Sequence, residues 1–154
     1  MNTWYHISVW LHVIGVSFWI GSMLFLPLVL FPGIKDHPDR ANLLLSTGLK
    51  FRFYGYFFLS LLLITGLLNI YLRGINISQE FFLESRYGNL VIVKFILFLL
   101  ILAISLWHDG HARKRLLNEE ANQKFKMVAR WSGRMLLLIS LAMAYIGVIL
   151  SRGG

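Results

Sequence analysis

The chain has 154 residues, of which 57% are hydrophobic and only 14% are charged. Soluble domains carry about a quarter charged residues, so this composition excludes a soluble protein and indicates an integral membrane protein. The formal net charge of +8 comes from basic residues that flank the apolar stretches, which argues against a nucleic-acid-binding domain, and the lack of cysteine excludes disulfides and thiolate metal sites.

Four apolar stretches follow one another along the chain, and each is close to the ~20 residues that an α-helix needs to cross the hydrocarbon. The predicted spans are residues 5–31, 51–73, 88–109 and 131–151. Strands of a membrane barrel would alternate faces over ~10 residues, whereas these stretches are continuously apolar. We therefore predict an all-α integral membrane protein, a single domain over residues 1–154 built as an up-down-up-down bundle of four transmembrane helices.

Basic residues are unevenly divided between the two sides that this topology creates. The connections after the first and third spans carry most of the Lys and Arg residues. The positive-inside rule places such connections in the cytoplasm, where they also attract anionic lipid headgroups. We therefore expect the N- and C-termini to lie outside the cytoplasm.

Two ionisable side chains interrupt the apolar stretches: His12 in the first span and Lys94 in the third. An ionisable residue inside a transmembrane helix is a candidate functional residue, because burying it in hydrocarbon is energetically expensive. The first and third spans run in the same direction, and the rise of the helix places both residues about one turn inside the non-cytoplasmic face. We predict that the two side chains face each other inside the bundle.

Each span also has a face of small or polar residues, which in a bilayer marks the side that packs against other helices. On the first span, residues of this kind recur at spacings of four and three, which is typical of one helix face. The candidates predicted to line the interior near His12 are Trp19 on the same span and Asn69 and Met143 on the antiparallel spans.

The chemistry of His12 has two interpretations. Imidazole is a good ligand for haem iron or copper. The alternative is a structural histidine that is hydrogen-bonded across the bundle, to Thr65 or Ser140 for example. Lys94 likewise is either a cation placed against an anionic cofactor, such as the haem propionates, or a side chain that snorkels to the headgroups. Met143 is a candidate sixth ligand of the iron.

Three further histidines are candidate metal ligands. His6 lies at the membrane interface and is either an interfacial residue or a ligand. The three-residue spacing of His108 and His111 can place both imidazoles on one helix face, but two ligands make an incomplete site, and a solvated helix end is the alternative. Both lie at the cytoplasmic end, too far along the helix to share an ion with His12.

The first span carries a family resemblance. Residues 11–21, with the sequence LHVIGVSFWIG, followed by Leu26 and Pro27, resemble the opening helix of the HemJ-type protoporphyrinogen oxidases, four-helix membrane proteins that bind b-type haem. Lys94 matches the lysine of their third helix. The resemblance implies haem b with His12 as an axial ligand and an oxidoreductase activity. The chain departs from that pattern at Ile92, where the family has histidine.

The middle of the chain is similar to a second family, the copper-resistance D (CopD) domain. Residues 65–69, TGLLN, and residues 87–90, YGNL, with Lys94 downstream, correspond to its signatures. This resemblance implies copper transport across the inner membrane, with His12, His6 and Met143 as ligands near the external mouth. Imidazole and thioether groups are suitable ligands for copper ions.

Three functions are therefore open. The first interpretation is haem b binding for electron transfer or porphyrinogen oxidation, the second is copper transport, and the third is a cofactor-free structural subunit of a larger membrane complex. The expected surroundings are the lipid bilayer, and the expected small-molecule partners are quinone, porphyrin or copper. The chain is also expected to associate either with further copies of itself or with a larger membrane complex. Nucleic acid is not an expected partner. The resemblances and the lack of an organellar transit segment predict the bacterial inner membrane.

Overall fold

The computed structural model describes residues 3–74, 78–117 and 123–153, without the side chains of residues 79–80, 108–117 and 123–130. Every regular element in these ranges is a helix, which confirms the all-α prediction. Four helices are long and apolar enough to cross a membrane, as predicted. These spans are Thr3–Gly33, Arg40–Leu72, Arg86–Trp107 and Trp131–Ser151.

The first span is one long helical segment with a local change of winding near its end. Helix α1 covers Thr3–Phe25, a π-helical turn covers Leu26–Leu30, and the short α2 covers Phe31–Gly33. Pro27 and Pro32 have no backbone N–H and remove two donors from this stretch, which interrupts the regular i to i−4 pattern of hydrogen bonds. The chain therefore crosses the bilayer as α1 and becomes irregular only at its far end.

Helix α3, Arg40–Leu72, begins 11 residues before the predicted start of the second span. Its 33 residues are about 50 Å long, whereas the hydrocarbon core is about 30 Å thick. Lys50, which precedes the predicted span, is therefore part of a helix that extends beyond the apolar run. Hydropathy marks the part that lies in lipid and not the end of the helix. At its other end, Gly74 has a φ of 70°, the left-handed conformation that commonly ends a helix.

The short helix α4, Gln79–Glu84, was not predicted as a helix. The Ser78 side chain caps its N-terminus by accepting a hydrogen bond from the Phe81 N–H at 3.1 Å. One residue separates α4 from α5, which covers Arg86–Leu117. Ser85, the residue between them, accepts a hydrogen bond from the Gly88 N–H at 2.9 Å and so caps α5.

Helix α6 covers Gln123–Ser151 and begins before the predicted start at residue 131. Both α5 and α6 therefore extend beyond the apolar stretches from which the spans were predicted, on the side where the basic residues lie. Helix α5 continues past the predicted third span as far as Leu117.

The chain divides into two compact units, residues 1–76 and residues 77–154. The first unit is an antiparallel hairpin of α1 and α3, because early residues of α1 pair with late residues of α3. Phe18 stacks on Phe58 with ring centroids 3.9 Å apart. One turn away, the Leu62 side chain lies directly against Gly15. A glycine here allows the two helices to approach closely, which is how helices associate in a bilayer.

The second unit contains α4, α5 and α6. Lys94, near the start of α5, lies against Gly147, near the end of α6, so these two helices are antiparallel neighbours. The buried apolar side chains of this unit are Phe98, Ile101, Leu136 and Leu150. Ser140, one of the predicted partners of His12, donates a hydrogen bond to the Leu136 carbonyl of its own helix at 2.7 Å.

Candidate functional site

His12 lies within the hairpin of the first unit, half-buried against α3. Its Nδ1 atom and the Thr65 hydroxyl oxygen are 2.8 Å apart, which is a hydrogen bond between the two helices. Gly66 also lies beside the imidazole, since a Cβ on Gly66 would be 3.6 Å from His12 Cε1, an ordinary van der Waals distance. The predicted hydrogen bond to Thr65 is therefore present, and it holds the ring against α3.

Thr65 is at the centre of this polar cluster and is only 2% exposed. Its hydroxyl lies 2.7 Å from the Leu61 carbonyl oxygen, to which it donates a hydrogen bond. The Ser8 hydroxyl donates a 3.3 Å hydrogen bond to the Thr65 carbonyl. Ser8 and His12 are one turn apart on α1, so a single residue of α3 binds two successive turns of α1.

Beyond His12, toward the other end of the hairpin, the helix interface becomes apolar. Trp19 is 6% exposed, and its Cζ3 atom would be 3.4 Å from a Cβ on Gly55. Trp19, which was predicted to line the interior near His12, therefore packs between α1 and α3. The polar cluster around Thr65 thus lies toward the end of the hairpin where α1 begins and α3 ends.

Asn69 extends the polar cluster by one turn of α3. Its side-chain oxygen Oδ1 is buried, and it has no hydrogen-bond partner among the residues that the structure describes. A buried acceptor without a donor costs about 1–3 kcal/mol. Its position, four residues after Thr65, makes this oxygen well placed to accept a hydrogen bond from a bound group in the polar half of the hairpin.

His6, the other predicted histidine ligand on the first span, does not lie beside His12. His6 is exposed at the start of α1, and its ring centroid lies 5.9 Å from that of Tyr5. The helical rise separates His6 from His12 by about 9 Å, so one ion cannot easily bind both. Helix α5 includes His108 and His111, but their side chains lie outside the described residues. Their role as ligands stays a prediction.

Lys94 and Met143 belong to the second unit. The Lys94 ammonium nitrogen lies close to α6, 3.2 Å from the position that a Cβ on Gly147 would take. Gly147 is one turn from the C-terminal end of α6, where the carbonyl groups give the helix a negative partial charge that favours a cation. Met143 is half-buried and lies one turn before Gly147 on the same face.

The close approach of the Lys94 ammonium to Gly147 predicts that substitutions at these two positions have non-additive effects on stability. Gly147→Ala should destabilise the protein when Lys94 is present, because the new methyl group would displace the ammonium. In a Lys94→Ala background the same change should be nearly neutral. Chemical unfolding of the four proteins should give a coupling free energy of about 1 kcal/mol. Additive effects of the two substitutions would contradict the contact.

No group of three or more His, Asp or Glu side chains able to hold a metal ion exists within the described part of the chain. Among these described residues, His12 is not part of a preformed cluster of three or more such groups. His12 and Thr65 were predicted from the sequence, but the Leu61 carbonyl was not, because backbone groups leave no signal in the sequence.

Comparison with known proteins supports one of the two family resemblances. The model of a family described as copper resistance protein D matches residues 47–151. An uncharacterized protein of Aquifex aeolicus is 36% identical over 147 residues, which cover 94% of this chain and 94% of the relative. No solved structure matches the chain. The matched range includes Thr65 and Lys94, whereas His12 precedes it. The HemJ-type resemblance stays a prediction.

Proposed function

The chain belongs to the copper resistance protein D family, and from this membership we propose that it transports copper ions across the membrane, with His12 as an intramembrane ligand. Copper is the transported substrate in this proposal and not a resident cofactor. The four apolar helices make the chain a multi-pass membrane protein. The proposed location is the bacterial inner membrane, with both termini outside the cytoplasm.

The observation that supports this proposal is the imidazole of His12, held in position within a transmembrane hairpin by the Thr65 hydroxyl at 2.8 Å. Imidazole nitrogen is a suitable ligand for copper. A ligand whose ring orientation is already fixed loses less conformational entropy when it binds an ion.

A site with few ligands suits transport better than storage. A transported ion must bind well enough to enter a site and weakly enough to leave it. A complete set of four ligands, as in a structural metal site, would hold the ion too tightly. The single oriented imidazole in the hairpin, without a surrounding group of acidic or histidine ligands in the described residues, fits this requirement.

Haem b binding is the second candidate, and the same orientation of His12 supports it. Haem-ligating histidines also use one ring nitrogen for the iron and the other for an orienting hydrogen bond. Trp19, which was also predicted for the haem site, packs against Gly55, and its role beside a haem stays a prediction. When bound, haem would supply electron-transfer or oxidation chemistry, and His12 would hold the iron.

The test is copper binding by the purified full-length protein in lipid nanodiscs. Cu(I) is supplied under reducing conditions, and its affinity is measured by competition with a colorimetric chelator. We expect His12→Ala to weaken copper binding by more than about 100-fold, because loss of a ligand should exceed the 10–100-fold effect typical of residues that only orient a ligand. The same variant should lose copper transport into vesicles that contain it.

The matched control is His37→Ala. His37 is exposed in the connection before α3, where its Nδ1 atom accepts a hydrogen bond from the Asp39 N–H at 3.1 Å. Copper affinity should be unchanged in this variant. A Soret absorption band in the purified protein that disappears in His12→Ala would favour haem instead. Unaltered copper binding in His12→Ala would show that His12 is not the ligand, whereas no copper binding and no haem band in the original protein would contradict both candidates and leave the structural subunit.

A further inference from the structure

We propose that Thr65 is a positioning residue that holds His12 in the tautomer with hydrogen on Nδ1, so that Nε2 is the nitrogen that binds copper. This inference rests on the proposed function and specifies which atom of the histidine performs it. It also assigns a role to a hydroxyl group that lies in the part of the chain matched by the family model.

The direction of two hydrogen bonds determines the tautomer. A carbonyl oxygen has no hydrogen to give, so the 2.7 Å contact between Thr65 and the Leu61 carbonyl requires the Thr65 hydroxyl to donate. A hydroxyl has only one hydrogen. Toward His12 the Thr65 oxygen can therefore only accept, and the 2.8 Å contact requires a hydrogen on Nδ1. In the neutral imidazole the lone pair that can bind a metal is then on Nε2.

The surrounding contacts keep the Thr65 hydroxyl in this orientation. Thr65 is nearly fully buried, and the Leu62 carbonyl oxygen lies 3.4 Å from its hydroxyl oxygen. If the hydroxyl hydrogen turns away from the Leu61 carbonyl, it can therefore be donated to the Leu62 carbonyl of the same helix. The bond from Ser8 to the Thr65 carbonyl fixes the relative height of the two helices at this point. The Thr65 hydroxyl, which is the acceptor for His12 Nδ1, is therefore held in place by contacts from both helices of the hairpin.

The imidazole also packs against Gly66 of the same helix. A Cβ on Gly66 would lie 3.6 Å from His12 Cε1, the ring carbon between the two nitrogens, which is an ordinary van der Waals distance. The edge of the ring therefore lies against α3 beside Thr65. A fixed ring lowers the loss of freedom on metal binding, which is the usual effect of an orienting hydrogen bond to a ligating histidine.

The experiment compares Thr65→Val with Thr65→Ser. Valine has nearly the same shape but no acceptor, so we expect Cu(I) affinity to fall 10–100-fold, as is typical when an orienting partner is lost. Serine retains the hydroxyl and should restore binding to within about threefold of the original protein. The control is Ser22→Ala, which removes a hydroxyl of the same hairpin that donates to the Trp19 carbonyl, and it should not change affinity.

A readout independent of copper comes from nitrogen NMR of protein labelled with ¹⁵N-histidine, with His12 assigned by comparison with His12→Ala. The His12 signals of the metal-free protein should be those of the Nδ1–H tautomer, and Thr65→Val should shift them toward the other tautomer. If Thr65→Val does not fold, Thr65→Ala serves instead. An Nε2–H tautomer in the original protein would overturn the inference.

The outcomes separate this inference from the proposed function. If His12→Ala loses copper and Thr65→Val binds it normally, the positioning role is wrong and the proposed function stands. If His12→Ala binds copper normally, the proposed function is wrong, and with it any role of Thr65 in binding. Loss of copper in both variants, with recovery in Thr65→Ser, supports both.

Discussion

Replacing Gly88 with alanine is expected to lower the free energy of unfolding by about 3 kcal/mol. The chain turns from α4 into α5 so tightly that a Cβ on Gly88 would overlap the Phe81 carbonyl oxygen and lie 2.8 Å from the Phe82 Cα. These are backbone atoms, which cannot move aside as the end of a side chain can. The added methyl group must therefore shift α4, and chemical unfolding of the purified protein would measure the loss.

Gly133→Ala is the matched control for this prediction. Gly133 also lies in a helix of the second unit, but a Cβ there would meet nothing within 4 Å. Because alanine favours helix more than glycine does, this variant should be as stable as the original protein or up to about 1 kcal/mol more stable. Equal effects of the two substitutions would show that the approach of α4 to α5 is not the cause.

Gly15→Leu should have a comparable effect on the first unit, a loss of about 3 kcal/mol. A Cβ on Gly15 would lie 3.0 Å from Leu62 Cδ2 and 3.2 Å from Leu62 Cγ. The end of the Leu62 side chain can move away from a methyl group, so Gly15→Ala should cost only about 1 kcal/mol. A leucine side chain at position 15 is too large to be accommodated by this movement of Leu62, so it must push α1 away from α3.

This separation should also affect His12, which lies one turn away from Gly15 on α1. We expect Gly15→Leu to weaken Cu(I) binding by about tenfold, through loss of the orienting contact with Thr65. The control is Gly21→Leu on the same helix, where a Cβ would meet nothing within 4 Å and the residue is exposed. It should leave both stability and affinity unchanged. Normal stability of Gly15→Leu would contradict the close packing of the hairpin.

The positions of the spans followed from the sequence, but the ends of the helices did not. Apolar length is set by the thickness of the hydrocarbon, so hydropathy identified all four spans. A helix does not need to stop where the lipid stops. Helix α3 begins at Arg40 because residues 40–50 contain no proline and can hydrogen-bond as a helix in water as well as in lipid.

The candidate site was predicted in part. His12 was identified because a histidine inside an apolar stretch is unusual, and Thr65 was named as a partner because it lies at a similar depth. The direction of the hydrogen bonds between them could not be predicted, since it depends on the Leu61 carbonyl. The packing of Trp19 on Gly55 was also not predictable, because the same helix face can line a cofactor or contact another helix.

The amino-acid sequence by itself determined that this is an all-helical membrane protein with four spans and an intramembrane histidine. These properties depend on composition and on the periodicity of single segments, which are local. Only the tertiary structure decided that α3 pairs with α1, that Gly88 permits the turn between α4 and α5, and that Lys94 lies at Gly147. Such contacts depend on distances of a few ångströms between residues far apart in the chain, and packing geometry sets those distances.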